Sequence, residues 1–568
     1  MDGKNGNQKV IEQLVADGFQ YMFGNPGTVE QGFLDALADY PKIQYVLSHQ
    51  ESIAVLMADG YARATNKPAL VQLHSSPGIG NAVGALYQAK RGHSPLVVIA
   101  GDSGVKYLNM DAQMAADLVA IMEPVTKYAT VVYHKDSILR TLRRAIKIAY
   151  TPPMGPVYVC LPLDILSEIN TEEVFPTHFP DTKVLPSSGT IQKFAEILLS
   201  AKHPMIFMGD GVGFSNAVEE LTNLAELLGA EIHGVDVGNL NMDTTHPCYI
   251  GTTGHMFGFA SKPITEKGDV NLIVGTYMLP EVFPELGSVF SENAKVLHID
   301  LDSYEIAKNH RVDMSIVADP KLTLKAIYAE LSNLITEKQK NEANDRINSF
   351  KSRKKELYDS LIKKDELNKG KQPLFMSEFM EKLANKLPSD AIIFDEALTN
   401  SPAVTRYFPP KNPGSYFVTR GGSLGVGFPG ALGVKFANPD RLVIGFSGDG
   451  GSMYTIQALA SAKRHKKGVK FVVCNNSSYR LLQLNITQYW NEMNISGREF
   501  PVPFDLSVPD IRFDILAKSF GVESVRVSKP EEIDSAIEQM LSKDEPFLID
   551  YVLEGNAYPE LVGVKCGQ

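Results

Sequence analysis

The sequence sets an aspartate in the middle of a glycine-rich turn, "SGDGGSMY" at 447–454. Turns that close an apolar strand and open a helix offer bare backbone N–H groups to phosphate. A carboxylate there repels the phosphate unless a cation lies between them. Asn475 and Asn476 stand 26 and 27 residues beyond Asp449, at the end of the strand-like run "VKFVVC". Strand, helix and strand make one βαβ unit, with Ile456, Leu459 and Ala460 on one helix face. Its right-handed crossover puts both strand ends on one sheet edge. Asp449 and Asn476 therefore emerge where open α/β sheets bind ligands. A carboxylate and an amide oxygen suit a hard cation, Mg2+ or Ca2+, which bridges the acid to phosphate. The N–H groups of Gly450, Gly451 and Ser452, just after Gly448, can take the remaining phosphate charge. A second copy, "MGDGVGF" around Asp210, has Asp236 at the matching distance and no Asn-Asn pair. It is read as an ordinary tight turn.

The elements that must position these residues follow from the apolar runs. "FQYMFG" (19–24), "IQYVLS" (43–48), "ALVQLH" (69–74) and "PLVVIAG" (95–101) read as strands, with helices over 29–39, 51–63 and 79–90. Continuous Val/Ile/Leu strands separated by helices mean a parallel sheet covered on both faces. The pattern recurs in two further blocks, through "HPMIFMGDG", "VNLIVGT" and "KVLHIDLD", then through "AIIFDEA", "RLVIGFSGDGG", "GVKFVVCNNSSY" and "PFLIDYVLE". The expected fold class is α/β, three consecutive doubly wound parallel-sheet domains. The expected boundaries are 1–185, 186–340 and 371–568, with a charged helical, solvated connector over 341–370.

A chain of 568 residues is too long for one core. Its net charge of −11 argues against general nucleic-acid binding. No apolar run reaches the roughly 18 residues a membrane span needs, and "MDGKNGNQKV" lacks a signal-peptide core. Cys160, Cys248, Cys474 and Cys566 show no paired or metal-type spacing and read as small core residues. The expected location is the reducing cytoplasm.

GDG followed one crossover later by NN resembles the thiamine diphosphate fingerprint. "FGNPGT" (23–28), "HQESIAVLMADGYAR" (49–63), "HSSPGIGNAVGAL" (74–86) and "NPGSYF…GGSLGVGFPGALG" (412–433) extend the resemblance over nearly the whole chain. They are similar to benzoylformate decarboxylase and its relatives, within the decarboxylase and acetolactate synthase superfamily. The resemblance implies a pyrimidine, middle and diphosphate order of domains. It implies that Asp449, the Asn476 side chain and the Ser478 carbonyl hold Mg2+. It makes Glu51 the glutamate that activates the cofactor; alone, Glu51 reads equally as a solvated first-turn acid. Through the imino tautomer of the aminopyrimidine, Glu51 promotes the ylide that attacks a 2-oxo acid, and the enamine follows loss of CO2. Leu424 is the wedge that bends the cofactor, and the Gly422 carbonyl receives the aminopyrimidine. Asn81, Thr399 and Tyr479 join the cofactor-binding set. His74 matches a histidine that handles protons around the substrate. Thr28 stands where a serine faces the substrate carboxylate, although a helix N-cap explains it equally well.

The expected reaction is non-oxidative decarboxylation of a 2-oxo acid to an aldehyde, with acetolactate synthase-type carboligation as the alternative. The expected assembly is a homodimer with sites across the interface, commonly a tetramer. Flavin in the middle domain is not expected, yet stays open. The resemblance weakens at substrate positions. "VGTYMLPEVFPEL" (274–286) lacks the second catalytic histidine; His255 is the nearest candidate, although it reads first as a structural histidine. "MDAQMAADL" (110–118) lacks the pyruvate decarboxylase histidine pair and looks closer to acetolactate synthases, which makes Gln113 a substrate contact or an exposed helix residue. Arg480 is read as a surface salt bridge, with recognition of an acidic substrate group as the alternative. "GIGNAVG" (78–84) is one residue too long for a dinucleotide loop.

Overall fold

The computed structural model describes residues 3–558 and 561. Its strands form three parallel sheets of six. The first holds β1 (Tyr21–Gly24), β2 (Gln44–Leu47), β3 (Ala69–His74), β4 (Leu96–Asp102), β5 (Tyr128–Val131) and β6 (Val157–Pro162), in the order β2-β1-β3-β4-β6-β5. The second holds β7 (Pro204–Met208), β8 (Glu231–Gly234), β9 (Tyr249–Thr252), β10 (Val270–Val274), β11 (Lys295–Asp300) and β12 (Met314–Val317), in the order β12-β11-β10-β7-β8-β9. The third holds β13 (Ile392–Glu396), β14 (Tyr416–Val418), β15 (Val443–Gly448), β16 (Lys470–Asn475), β17 (Glu523–Val527) and β18 (Phe547–Val552), in the order β14-β13-β15-β16-β18-β17. Central strands such as β6 and β16 are buried at every position, which is why they read as unbroken apolar runs rather than alternating ones.

The first and third sheets share one strand order. Their connections reverse direction between β1 and β3 and between β13 and β15, so ligand crevices are expected at the carboxyl ends of those two pairs. The second sheet has the dinucleotide-binding order, and its reversal lies between β7 and β10.

The first and third domains share one apolar core. The helix Glu51–Thr65 packs backbone to backbone on the helix Gly427–Ala437. A Cβ on Gly433 would fall 1.9 Å from the Met57 carbonyl, and one on Gly60 would fall 2.2 Å from the Gly430 carbonyl, so only glycine permits this approach. The contact locks the helix that Glu51 opens against the helix that follows the Leu424 loop.

The charged stretch forms one helix, Glu337–Glu366, opened by a capping box at Thr336. It is not solvated all round. Ala343 and Phe350 are buried, Arg346 donates to the carbonyls of Leu228 and Gly229, and Arg353 pairs with Glu231 at 2.5 Å. Cys160, Cys248 and Cys474 are buried and unpaired, with burial raising each thiol pKa, whereas Cys566 lies outside the described residues. No described helix is long and apolar enough to cross a membrane.

Candidate active site

Half of the site gathers where β1 and β3 end. Glu51 is the first residue of its helix and is 9% exposed. Its Oε1 accepts from Asn25 Nδ2 at 3.2 Å and its Oε2 from Asn81 Nδ2 at 3.0 Å. His74 ends β3 with its Nδ1 3.0 Å from Glu30 Oε2. Glu30 also accepts the N–H groups of Gly27 (2.9 Å) and Gly101 (3.1 Å). Burial pushes the Glu30 carboxyl up from its usual range, and the imidazole and the two amides pull it part of the way back. A Cβ on Gly78 would lie 3.2 Å from His74 Cβ and 3.5 Å from Glu51 Oε1, so the two candidate residues flank the same glycine.

Thr28 is exposed and does not cap the following helix; its N-cap position is Glu30, which makes no side-chain cap bond. Gln113 lies in an exposed turn between the 3-10 helix Val105–Met110 and the helix Leu118–Met122, which overturns the helical reading. That turn reaches the site, because Ser76 Oγ, two residues after His74, donates to the Met114 carbonyl at 2.6 Å. "GIGNAVG" lies wholly inside the helix Ser75–Arg91, so it forms no phosphate loop.

The other half gathers where β13, β15 and β16 end. Asp449 opens the helix Asp449–Thr455, is 6% exposed, and takes the Gly450 N–H on Oδ1 at 2.8 Å. Its Oδ2 is buried with no hydrogen-bond partner, as is the Ser478 hydroxyl. Burial pushes the Asp449 carboxyl up to about 6, against the pull of backbone amides from Gly450, Ser477 and Ser478. Asn476 Oδ1 accepts the Ser478 N–H at 3.2 Å, across a bend in which Ser477 has φ +54°. The Tyr479 ring covers Gly450, where a Cβ would fall 2.2 Å from the ring. Gly451 and Ser452 are buried, and Ser452 Oγ donates to the Gly448 carbonyl at 2.8 Å. The single helix expected after the turn is two, Asp449–Thr455 and Ala458–Arg464. Leu424 is half-buried in a loop bent by Gly421, Gly422 and Gly425, with φ of +62°, +72° and +84°.

Arg480 is neither at the surface nor at a pocket mouth. It is 5% exposed and donates to Thr399 Oγ1 (2.8 Å), Asn400 Oδ1 (2.8 Å) and the Glu554 carbonyl (3.1 Å). It therefore fixes the 3-10 turn Leu398–Asn400, which carries Thr399, against the segment after β18. His255 is exposed, with its carbonyl accepting the Val282 N–H at 3.1 Å. Beside it, Phe257 stacks on Phe259 and Phe283, with ring centroids 5.3 and 5.5 Å away, so aromatic rings stand beside the segment that lacks the second histidine.

The tight-turn reading of Asp210 also changes. Asp210 is 4% exposed and accepts the N–H groups of Gly238 (3.0 Å) and Asn239 (3.1 Å) and the Asn241 amide (2.9 Å). Its second oxygen pairs with Arg420 of the third domain. Arg420 also meets Asp236 at 3.2 Å and donates to the Arg91 carbonyl at 3.0 Å, so this acid sits where all three domains join.

Sequence reasoning missed Glu30, Asn25 and Glu396. Glu30 and Glu396 accept mainly backbone amides, which leaves no signal in the pattern of side-chain types. No group of three or more His, Cys, Asp or Glu residues suited to a metal exists among the described residues. A cation at Asp449 therefore rests on one carboxylate plus neutral oxygens, the donor set of Mg2+ held jointly with phosphate. The unmet Oδ2 and the glycine N–H groups fit that pair of ligands.

The fold is three consecutive α/β domains, with the candidate site residues at the carboxyl ends of strands in the first and third sheets. Residues 4–121 match the N-terminal TPP binding domain of the thiamine pyrophosphate enzymes, 191–327 their central domain, and 399–551 their C-terminal TPP binding domain. A probable acetolactate synthase large subunit from Methanococcus aeolicus is 30% identical over 98% of this chain and 93% of its own length. Benzoylformate decarboxylase from Pseudomonas aeruginosa is 29% identical over 95% and 97%. The structure of a thiamine diphosphate-dependent 4-hydroxybenzoylformate decarboxylase from Rhodococcus jostii superposes with a TM-score of 0.82 at 26% identity, covering 98% of this chain and all of that one. The chain belongs to the thiamine pyrophosphate enzyme family, and its first and third domains are those that bind thiamine diphosphate.

Proposed function

We propose that the protein is a thiamine diphosphate- and Mg2+-dependent 2-oxo acid decarboxylase that releases an aldehyde. The observation that carries this reading is the His74–Glu30 pair beside Glu51. Aldehyde release requires a proton delivered to the carbon that lost CO2. An imidazole held by a buried carboxylate is a group that can store and deliver that proton.

When bound, the cofactor supplies a nucleophilic carbon and an electron sink. Asp449, Asn476 and Ser478 would hold the metal, and Gly450, Gly451 and Ser452 the diphosphate. Glu51 would hold a proton at the aminopyrimidine ring, with Asn25 and Asn81 orienting its two oxygens. The Gly422 carbonyl, Thr399 and Tyr479 would line the cofactor, and Leu424 would keep it bent. Thr28, exposed beside His74, would meet the substrate carboxylate. The relatives named as benzoylformate and 4-hydroxybenzoylformate decarboxylases favour a benzoylformate-like acid.

A second copy would complete the site. The Glu51 hydrogen bonds stay within the first domain and those of Asp449 within its own loops. Large apolar residues stand exposed at both halves, Leu108 (47%) and Met110 (72%) on one and Met453 (44%) and Tyr454 (58%) on the other. Surfaces of that kind are covered in assemblies, and a homodimer, paired into a tetramer, would cover them. The unpaired buried cysteines suit the cytoplasm.

The second reading is an acetolactate synthase-type carboligase. It is favoured by the Methanococcus relative and by the Gln113 turn at the site entrance. Incubation of the protein with Mg2+, thiamine diphosphate and benzoylformate or pyruvate separates the two. Aldehyde supports the first reading, acetolactate or another acyloin the second, and unconsumed acids defeat both.

A further inference from the structure

Glu396 ends β13 and is fully buried, yet it has no place in the chemistry above. Its Oε1 accepts the Gly425 N–H at 2.5 Å. Its Oε2 accepts the Gly427 N–H at 2.7 Å and the Ser447 hydroxyl at 2.9 Å. All three donors are neutral. Gly425 directly follows Leu424, and Ser447 lies two residues before Asp449. A Cβ on Gly451 would fall 3.2 Å from Glu396 Oε1, so the phosphate turn also rests on this carboxylate. One buried acid thus touches the wedge loop and the diphosphate turn together.

The same loop has other ties. Thr455 Oγ1 donates to the Gly425 carbonyl at 2.6 Å. Arg420, at the loop's start, is held by Asp210 and Asp236. Between Arg420 and Gly425 lie glycines with left-handed φ, a segment with little stiffness of its own. The height of Leu424 is therefore set at its ends. Burial pushes the Glu396 carboxyl up to about 7, so keeping an acid there costs stability that an apolar residue would not cost.

We infer that Glu396 is a positioning residue: its carboxylate fixes the Leu424 loop in register with the Gly448–Ser452 turn. The inference rests on Leu424 and that turn being parts of the cofactor seat, as proposed above. Three donors converge on two oxygens, which only a carboxylate can satisfy together. A glutamine turns an N–H2 toward one of these donors, and the Gly425 or Gly427 amide cannot reverse its role.

The test is Glu396→Gln, read first without cofactor. Amide hydrogen exchange of residues 420–428 in the unloaded protein is expected to quicken at least tenfold, with exchange in β13 and β15 unchanged. In the loaded enzyme, kcat for the consumed 2-oxo acid is expected to fall at least tenfold while KM moves less than threefold. Unchanged exchange over 420–428, or faster exchange with unchanged kcat, overturns the inference. Should Glu396→Gln fail to fold, Ser447→Ala removes one donor from the same carboxylate. It is expected to quicken exchange of 420–428 by a smaller factor, and no change there overturns the inference as well. Because exchange is read without substrate, this result is independent of whether the enzyme makes aldehyde or acyloin.

Discussion

Asp210 and Asp449 occupy the same local sequence, Gly-Asp-Gly, at the end of a strand beside the reversal of its sheet and at the start of a short helix. Their surroundings separate them. Every Asp210 oxygen is engaged, by two backbone amides, an asparagine and Arg420. Asp449 keeps one oxygen buried and unmet, with no arginine in reach of an ion pair among the described residues. A buried charge is costly unless something neutralises it. For Asp210 that partner is inside the chain, so the turn is a lock between domains. For Asp449 no such partner lies inside the described chain, which supports the proposal that the turn seats a cation. The same motif is locked by an arginine in one domain and left with an unmet oxygen in the other.

Glu51 extends the contrast on the open side. Among the described residues its carboxylate oxygens are hydrogen-bonded by two neutral amides, which orient it. Glu51→Gln is expected to lower kcat at least about a hundredfold while the thiamine diphosphate affinity, measured by calorimetry, changes little. Near wild-type turnover would remove Glu51 from the chemistry.

On the locked side, Asp210→Ala leaves Arg420 buried with only Asp236 to balance it. The expected loss is about 2–4 kcal/mol in denaturant unfolding, because Asp236 keeps part of the compensation. A loss below about 1 kcal/mol would mean that the junction is held mainly by Arg63. That residue donates to the Val418 carbonyl at 2.9 Å and to Asn239 at 3.1 Å, and crosses the same three domains.

Asp300 sharpens the comparison from within the central sheet. It ends β11 with no cation paired to it among the described residues, and burial pushes its carboxyl up to about 7, aided by repulsion from Asp302 and Glu305. The folded-state pKa is raised, so the wild type loses stability as pH rises from about 4 through about 7. Asp300→Asn removes that loss. The variant is expected to gain on the wild type by on the order of 2 kcal/mol at pH 8 and by nothing at pH 4. Equal melting temperatures at both pH values would show that Asp300 ionises without cost.

Much of this was legible in the residues. Fully buried parallel strands leave continuous apolar runs, so all three sheets and the ends of β15 and β16 could be placed from the sequence. Asp449 and Asn476 were legible as a pair because one crossover fixes their relative position. What stayed hidden depends on partners far away in the chain. Asp210 was misread because Arg420 lies 210 residues on. Arg480 looked like a surface residue because Thr399, Asn400 and Glu554 converge on it only in the fold. Glu30 and Glu396 hold backbone amides, and no pattern of side-chain types announces that. The amphipathic face of the charged helix was masked by its charge, since Phe350 and Ala343 are its only buried residues.

The central claim is that the unmet oxygen of Asp449 is the seat of a metal that carries the diphosphate. Calorimetric titration of thiamine diphosphate, with and without Mg2+, into wild type, Asp449→Asn and Asp210→Asn tests it directly. The account predicts Mg2+-dependent binding in wild type and in folded Asp210→Asn. It predicts none detectable in Asp449→Asn, whose unloaded melting temperature is no lower than that of wild type. Unchanged Mg2+-dependent affinity in Asp449→Asn would contradict it.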